Sequence, residues 1–462
     1  MAQSSTASDR GDPREGALDT AGNAAGGESY PSARAGWTLV ALLTLAYVFS
    51  FIDRYILGLM IEPIKADLGL TDAQIGWVLG PAFAIFYATM GLPLGWLVDR
   101  KRRTFIVAAG IFVWSLATAI SGLARSFAHL FFARMAVGIG EATLSPAAMS
   151  MISDSFPPER RSKPIAVYVA ALSLGAGIAS LIGGAVLTWA KTAGTITLPL
   201  VGTVLPWQLT FFVVGLPGIA LAFVFLFVRE PVRRRASDDE ARAGVAGNGF
   251  RDALSYVRRN KGVYGGFISL ACVMAIVAYG QSFLAPVFER THGWPPEKYA
   301  FVNAIVLLSA GPGSVFLSGV ISDRMAQAGR RDAPILMLVA GYIAMLPTAI
   351  IPMFLESAEL AFVFLFFNTA AVGIVSAMAV TALLAITPSA IRGQLTAFYY
   401  MSISMTGLFL GPPTVGLLST HMFGEADLRF AYAATCAIYA LIPTLFIGPT
   451  LRAYRRQLAR VA

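Results

Sequence analysis

Long apolar runs alternate with short polar breaks along the chain, twelve times over. A helix that crosses a membrane needs about 20 mostly apolar residues. Runs of that size lie near 37–61, 74–98, 104–124, 127–152, 164–190 and 207–228, and again near 262–288, 299–322, 334–355, 359–386, 393–418 and 429–451. Gly and Pro inside several of them are compatible with helix, because neighbouring helices re-satisfy the freed backbone groups. The pattern predicts an all-α membrane protein of twelve transmembrane helices, spans 1 to 12 below. The longest interior polar stretch, 229–261, divides it into an N-terminal six-helix bundle, 36–228, and a C-terminal one, 262–452. Residues 1–35 are rich in Ala, Gly, Ser, Asp and Arg and hold no apolar core, so they read as a disordered tail. They lack the apolar middle of a signal peptide, which leaves insertion to span 1. Residues 453–462 read as a second tail.

Composition agrees with this pattern. Of the 462 residues 56% are hydrophobic and only 13% charged, about half the charged share of a soluble domain. The placement of the 35 Lys and Arg residues then tests the span count. With the N-terminus inside, the inner segments hold 27 of them and the outer segments six: Lys65, Arg125, Lys191, Arg290, Lys298 and Arg429. Arg54 and Arg134 fall within spans. Such a bias places both termini in the cytoplasm of a multi-pass protein of the cell membrane, and an odd number of spans would scramble it. A net charge of +9 also suits a nucleic-acid binder. Here the basic residues sit in short clusters between apolar spans, so no nucleic-acid partner is expected.

The 229–261 stretch has two parts. "REPVRRRASDDEARAG" reads as a flexible charged linker. "NGFRDALSYVRRNK" puts Phe250, Leu254 and Val257 on one helical face with basic residues elsewhere. That face suits an amphipathic helix on the inner leaflet, and equally a solvated connector. Cys272 and Cys436 lie in apolar runs, and His129, His292 and His421 are isolated. Neither a disulfide framework nor a metal site follows, and no cofactor is expected.

The two halves echo each other. "GWLVDRKRR" begins at Gly95 and "GVISDRMAQAGRR" at Gly319, each at the inner end of the second span of its half. With these motifs the chain resembles the major facilitator superfamily over residues 36 to 455. The family's motif G-x-x-x-D-[RK]-x-G-[RK]-[RK] is matched by Gly95, Asp99, Arg100 and Arg103, while Arg102 stands in place of the second Gly. Gly319, Asp323 and Arg324 repeat its start. The resemblance implies two pseudo-symmetric bundles that alternate access to a central cavity. It also implies that Asp99 latches the halves near the start of span 11, where a carboxylate meets a positive helix end. The same charges also simply mark the inner interface. Span 5 carries Gly175, Gly177, Gly183 and Gly184, and small residues let helices approach closely in lipid. "FIDRY" in span 1 and "RMAVGIGEATLSPAAMSMISDSFPPERR" across span 4 are similar to the spinster-like lipid transporters, whose substrates are lysophospholipids or sphingosine phosphate. An Asp-Arg in span 1 also occurs in symporters of small organic anions.

Asp53, Arg54, Arg134 and Glu141 lie well inside spans. An unpaired charge there costs at least about 2.5–3.5 kcal/mol, which makes such residues functional candidates with partners to be named. By helical rise Asp53 sits roughly 24 Å from the inner end of span 1 and Arg134 roughly 10 Å from the outer end of span 4, at a similar depth. The expectation is that Asp53 pairs with Arg134 and that Arg54 borders the cavity near Glu141. In a functional reading Asp53 and Glu141 exchange protons while Arg54 and Arg134 bind an anionic group; in a structural one they form a fixed salt bridge between spans 1 and 4. The second half offers Tyr279, Gln281, Asn303, Asn368, Tyr399 and Tyr400 as further substrate-binding candidates. A wall charged on one side and apolar with sparse hydroxyls on the other suits an amphiphile, and also a small organic anion.

No G-x-x-x-x-G-K-[ST] loop, H-E-x-x-H or G-x-S-x-G is present, so neither ATP-driven pumping nor an enzyme is expected. The expectation is a monomeric secondary transporter coupled to protons, with membrane lipids as surroundings. A non-transporting sensor of the same fold is the remaining reading.

Overall fold

A computed structural model describes residues 30–198, 202–233, 250–388 and 391–461. The expected tail up to residue 29 and most of the charged linker, 234–249, lie outside these residues. Within them are twelve helices long and apolar enough to cross a membrane. In the first half these are Ala33–Leu59, Asp72–Gly91, Arg103–Ser121, Phe127–Ser155, Ser162–Ala193 and Pro206–Phe227. In the second they are Lys261–His292, Pro296–Gln327, Ala333–Phe354, Ala358–Ile386, Arg392–Phe423 and Glu425–Leu445. Two boundaries differ from expectation. Span 1 begins at Ala33, where the Ser32 hydroxyl caps it, and 453–461 is part of a helix, Ile447–Val461, rather than a tail. A two-stranded hairpin, Ile196–Leu198 paired with Gly202–Val204, joins spans 5 and 6.

Prolines divide four spans or their ends, because proline donates no hydrogen bond to the carbonyl four residues back. Pro63 lies just past the end of span 1, where Ile61–Leu68 starts a separate helix. Pro81 follows the break at Gly80, and its helix runs on to Arg100. Pro146 follows the gap between Phe127–Glu141 and Leu144–Ser155. Pro286 follows the 3-10 turn Gln281–Phe283 of span 7. Glu141 is therefore the last residue before a break.

Residues 30 and 461, the first and last described, lie at one end of the bundle, called the termini side, since the number of spans is even. At the opposite, far end the halves are clamped together. Asp72, fully buried, accepts from Arg290 Nη1 at 2.6 Å and from Ser419 Oγ at 2.6 Å, and it also pairs with Lys65. Arg290 reaches Glu62 as well, and Lys65 reaches Glu425 Oε2 at 2.7 Å. Glu425 in turn accepts from the Asp72 amide at 2.8 Å. Glu62, Lys65 and Asp72 belong to the first half; Arg290, Ser419 and Glu425 belong to the second. Below this network the backbones touch. A Cβ on Gly76 would meet the Pro412 carbonyl oxygen at 2.6 Å, and one on Gly80 would collide with that of Leu408. Spans 5 and 8 close similarly, through Ser180 Oγ to Ala300 O at 2.9 Å and Lys191 to Glu297 at 2.8 Å. Towards the termini the interface parts: a Cβ on Gly91, Gly95, Gly311 or Gly319 would meet nothing within 4 Å. The ion pairs and hydrogen bonds named between the halves thus gather towards the far end.

Arg103 ties the first half together at that end. It is 1% exposed, bonds Ser150 Oγ at 2.8 Å, Glu230 Oε1 at 3.1 Å and the Pro231 carbonyl at 2.7 Å, and pairs with Asp154. It fastens the start of span 3 to the end of span 4 and to the chain leaving span 6.

These contacts set two expected outcomes. Asp72→Asn weakens the far clamp and Gly76→Val overpacks it, a change that costs about 1–3 kcal/mol. Each lengthens the spin–spin distance between labels at Thr195 and Glu356, exposed on far-end loops of opposite halves, in pulsed electron resonance. Arg103→Ala removes the buried guanidinium shared by Asp154 and Glu230 and costs about 3–5 kcal/mol, read as a lowered unfolding midpoint in detergent.

Candidate functional site

Span 1 turns Tyr47, Ser50 and Arg54 onto one face, since residues three and four apart are helix neighbours. That face meets Glu141 at the break in span 4. Glu141 Oε2 accepts from Ser50 Oγ at 2.6 Å and Arg54 Nε at 2.7 Å, and pairs with Arg54 Nη2. The Glu141 side chain is 1% exposed and that of Arg54 23%, so the guanidinium is the member of the pair that faces the cavity. Aromatic rings enclose it. Its central carbon lies 4.6 Å from the Phe83 centroid, 5.5 Å from Tyr87 and 5.6 Å from Phe51. A cation over a ring face is attracted by the ring's quadrupole, more so when desolvated. Phe83 and Tyr87, one turn apart on span 2, stack at 5.2 Å. Beside them Tyr47 stacks on Tyr168 at 5.1 Å, and the Tyr168 hydroxyl lies 3.4 Å from Ser145 Oγ.

Asp53 points elsewhere, as the 100° step between adjacent helix residues requires. It is 2% exposed and lies among Glu141, Arg134, Thr118 and Arg54. The expected Asp53–Arg134 ion pair does not form. Arg134 Nη1 instead donates to the main-chain carbonyl of Asp53 at 3.1 Å. Asp53 Oδ1, Arg134 Nε and Glu141 Oε1 are buried without hydrogen-bond partners. Depth along the spans places Arg134 level with Asp53, but the helix azimuths aim the guanidinium at the backbone. The pair that does form, Arg54 with Glu141, is the neighbourhood expected of those two residues.

The second half divides its six candidates. Tyr279 joins the cavity wall: Arg54, Tyr87 and Ser404 are its neighbours, and its ring rests where Gly407 has no side chain, with a Cβ there 2.5 Å from Cδ2. The others have these contacts. Gln281 Nε2 bonds Asn368 Oδ1 at 2.8 Å, and Asn368, fully buried, donates to the Met345 carbonyl at 2.9 Å, so these two knit spans 7, 9 and 10. Asn303 meets Ser180 at 3.5 Å between the halves. Tyr399 is 1% exposed and stacks on Phe267 at 5.9 Å inside its own half, while Tyr400 is 47% exposed.

The repeated motif is also redistributed. Asp99 is exposed, and Arg233 donates to its main-chain carbonyl and to those of Val98, at 2.6 Å, and Lys101. Arg100 lies over Trp96 at 4.2 Å. Arg103 is buried in the cluster described above. Asp323 and Arg324 are exposed at the end of span 8. Among the described residues no group of His, Cys, Asp and Glu could hold a metal ion, and both cysteines are free.

Sequence patterns alone did not single out Ser50, Phe83, Tyr87, Tyr47, Tyr168 or Thr118. Two signals for them exist. Ser50 stands one turn before Arg54, and Phe83 and Tyr87 stand one turn apart just after a helix-breaking Pro81.

The chain matches the family model described as Major Facilitator Superfamily over residues 43–412. It is 27% identical over 433 residues to an MFS-type efflux pump of Mycolicibacterium smegmatis, covering 93% of this chain and 96% of that one. It is 26% identical over 300 residues to a probable L-galactonate transporter of Escherichia coli, covering 63% of this chain and 62% of the relative. In three dimensions it superposes on a bacterial homologue of the human lysosomal transporter spinster, crystallised in an inward-facing and unoccupied conformation. The TM-score is 0.79 at 26% identity, over 92% of this chain and 99% of that one. With twelve spans in two halves joined at the far end, this chain belongs to the major facilitator superfamily and is spinster-like within it.

Proposed function

We propose that the protein is a proton-coupled secondary transporter of the cell membrane, with both termini in the cytoplasm, and that its substrate is an anionic amphiphile of the lysophospholipid or sphingoid phosphate type. The observation that carries this reading is the Arg54 guanidinium. It faces the cavity at 23% exposure, is held from behind by Glu141, and is flanked by Phe51, Phe83 and Tyr87. A guanidinium presents planar paired donors to a phosphate or carboxylate, and the surrounding rings give an apolar body somewhere to lie.

The carboxyl groups supply the coupling. Asp53 and Glu141 each keep one oxygen buried and unpartnered. An ionised carboxylate without a partner in such a setting is costly. When substrate draws Arg54 away, Glu141 loses its counter-ion and takes up a proton. When the proton leaves, Glu141 reclaims Arg54 and the anion is released. Asp53, one residue away and enclosed, is the second proton-bearing group. Alternating access then means exchanging the far clamp through Asp72 and Arg290 for a closure at the termini, where the exposed Asp99 is free to latch the halves.

A small organic anion is the second reading, favoured by the hydroxyls of Ser50, Ser145, Tyr47, Tyr87 and Tyr168 around Arg54 and by the L-galactonate relative. Counterflow in proteoliposomes separates the two: preloaded lysolipids drive exchange on the first reading, hexonates on the second. Transport of neither would overturn both.

Three variants test the mechanism. Asp53→Asn and Glu141→Gln each keep counterflow but lose accumulation driven by a pH gradient; if both retain it in full, these carboxyl groups do not couple protons. Arg54→Ala weakens half-saturation by at least tenfold, the order expected of one lost charge-assisted bond. Arg54→Lys restores only part of that, because an ammonium lacks the paired donors.

A further inference from the structure

A second site lies away from the central cavity, on the outer face of the C-terminal half. A groove of about 410 Å³ runs between spans 7, 11 and 12. Its walls are rows one turn apart: Gly265, Ser269, Cys272 and Ile276 on span 7, and Phe398, Ser402, Thr406 and Leu410 on span 11. Tyr439 and Pro443 of span 12 close its back. Span 12 beside it exposes Ile438, Leu441, Ile442 and Leu445, the surface of a helix that faces hydrocarbon. From Gly265 to Ile276 the groove is roughly 17 Å long by helical rise. That is about half of the roughly 30 Å hydrocarbon core, the depth of one leaflet.

The groove ends at the termini side on Val257 of the helix Phe250–Arg259. That helix packs back on the bundle through Tyr256, whose ring meets Tyr264 at 5.7 Å and whose hydroxyl accepts from Gln457 at 2.9 Å. On its other side Leu254, Ser255, Arg258 and Arg259 line a second recess of about 380 Å³. Arg258, Arg259 and Lys261, with Arg392 at the start of span 11, are all exposed at this level. A largely apolar slot one leaflet deep thus ends against a short helix that carries Arg258 and Arg259, with Lys261 and Arg392 at the starts of the adjoining spans. Water has no place along such a slot, and a neutral acyl chain alone would leave those charges unused.

We infer that this groove binds an anionic glycerophospholipid, with one acyl chain between spans 7, 11 and 12 and the phosphate on Arg258, Arg259 and Lys261. The occupant is a resident of the membrane rather than the transported substrate, because the slot opens on the outer face and does not include Arg54 or Tyr279. It is coupled to the transport cycle through span 11. Along and just beyond the groove the same helix carries Leu408 and Pro412, whose carbonyls meet Gly80 and Gly76 of the opposite half.

The test uses full-length protein in a neutral detergent, with its unfolding midpoint followed as lipid is added. Phosphatidylglycerol raises the midpoint saturably, phosphatidylcholine does so at least tenfold more weakly, and glycerol 3-phosphate has no effect. An order of magnitude is what one or two basic groups contribute near an anionic surface. R258A/R259A brings the phosphatidylglycerol response down to that of phosphatidylcholine, and R258K/R259K preserves it. Thr406→Trp, which fills the slot, abolishes both responses, and native mass spectrometry shows the retained lipid lost from the same variant. Equal responses to the two lipids, a full response to glycerol 3-phosphate, or an unchanged response in Thr406→Trp each overturn the inference. Counterflow by R258A/R259A confirms folding, so a lost lipid response there counts for the site.

Discussion

The structure turns on one buried carboxylate. Asp72 is fully enclosed at the far end, and a charge in that position is tolerable only when paired and hydrogen-bonded. Lys65 comes from its own half, but Arg290 and Ser419 come from the other. The carboxylate is therefore satisfied only while the two halves meet there. Because they meet there, spans 2 and 11 are drawn into backbone contact at Gly76 and Gly80. The exposure of Arg54 and the freedom of Asp99 follow from where this one charge finds its partners.

Much of this was legible in the residues. Twelve spans could be counted because lipid forbids unpaired backbone, so length and apolarity suffice. The breaks at Gly80, Ala142 and Gln281 stand before Pro81, Pro146 and Pro286, but Pro93, Pro217 and Pro312 sit in unbroken helices, so the missing N–H alone does not mark where a span breaks. The neighbourhood of Arg54 and Glu141 was legible from cost alone, since charges inside spans must find each other. The partner of Arg134 was not. Depth follows from counting residues, but whether a guanidinium meets a carboxylate or the carbonyl behind it depends on the rotation of two helices, which pattern does not fix. The hydrogen bonds of Gln281 and Asn368 were not legible for a related reason. A polar side chain in a membrane helix is as useful for joining helices as for meeting substrate, and these two join spans 7, 9 and 10. Arg103 follows the same lesson: its motif suggests a surface charge, while Asp154 and Glu230 bury it.

The central site is also lopsided. Asp53, Arg54, Arg134 and Glu141 all belong to the first half. The second half contributes a phenol, Tyr279, seated against Gly407 with Ser404 beside it, and no carboxyl or guanidinium group named at the site. If the halves rock as rigid bodies, these two carboxyl and two guanidinium groups all travel with the first half and keep their mutual distances throughout.

That division has an evolutionary consequence. The electrostatics of the pair and the shape of the opposing wall are encoded on separate stretches of chain, about 140 residues apart from Glu141 to Tyr279. Changes of side-chain volume in the second half can reshape the opposing wall without disturbing the buried charges of the first. A lineage built on this plan can diversify its cargo while its energetics stay inherited.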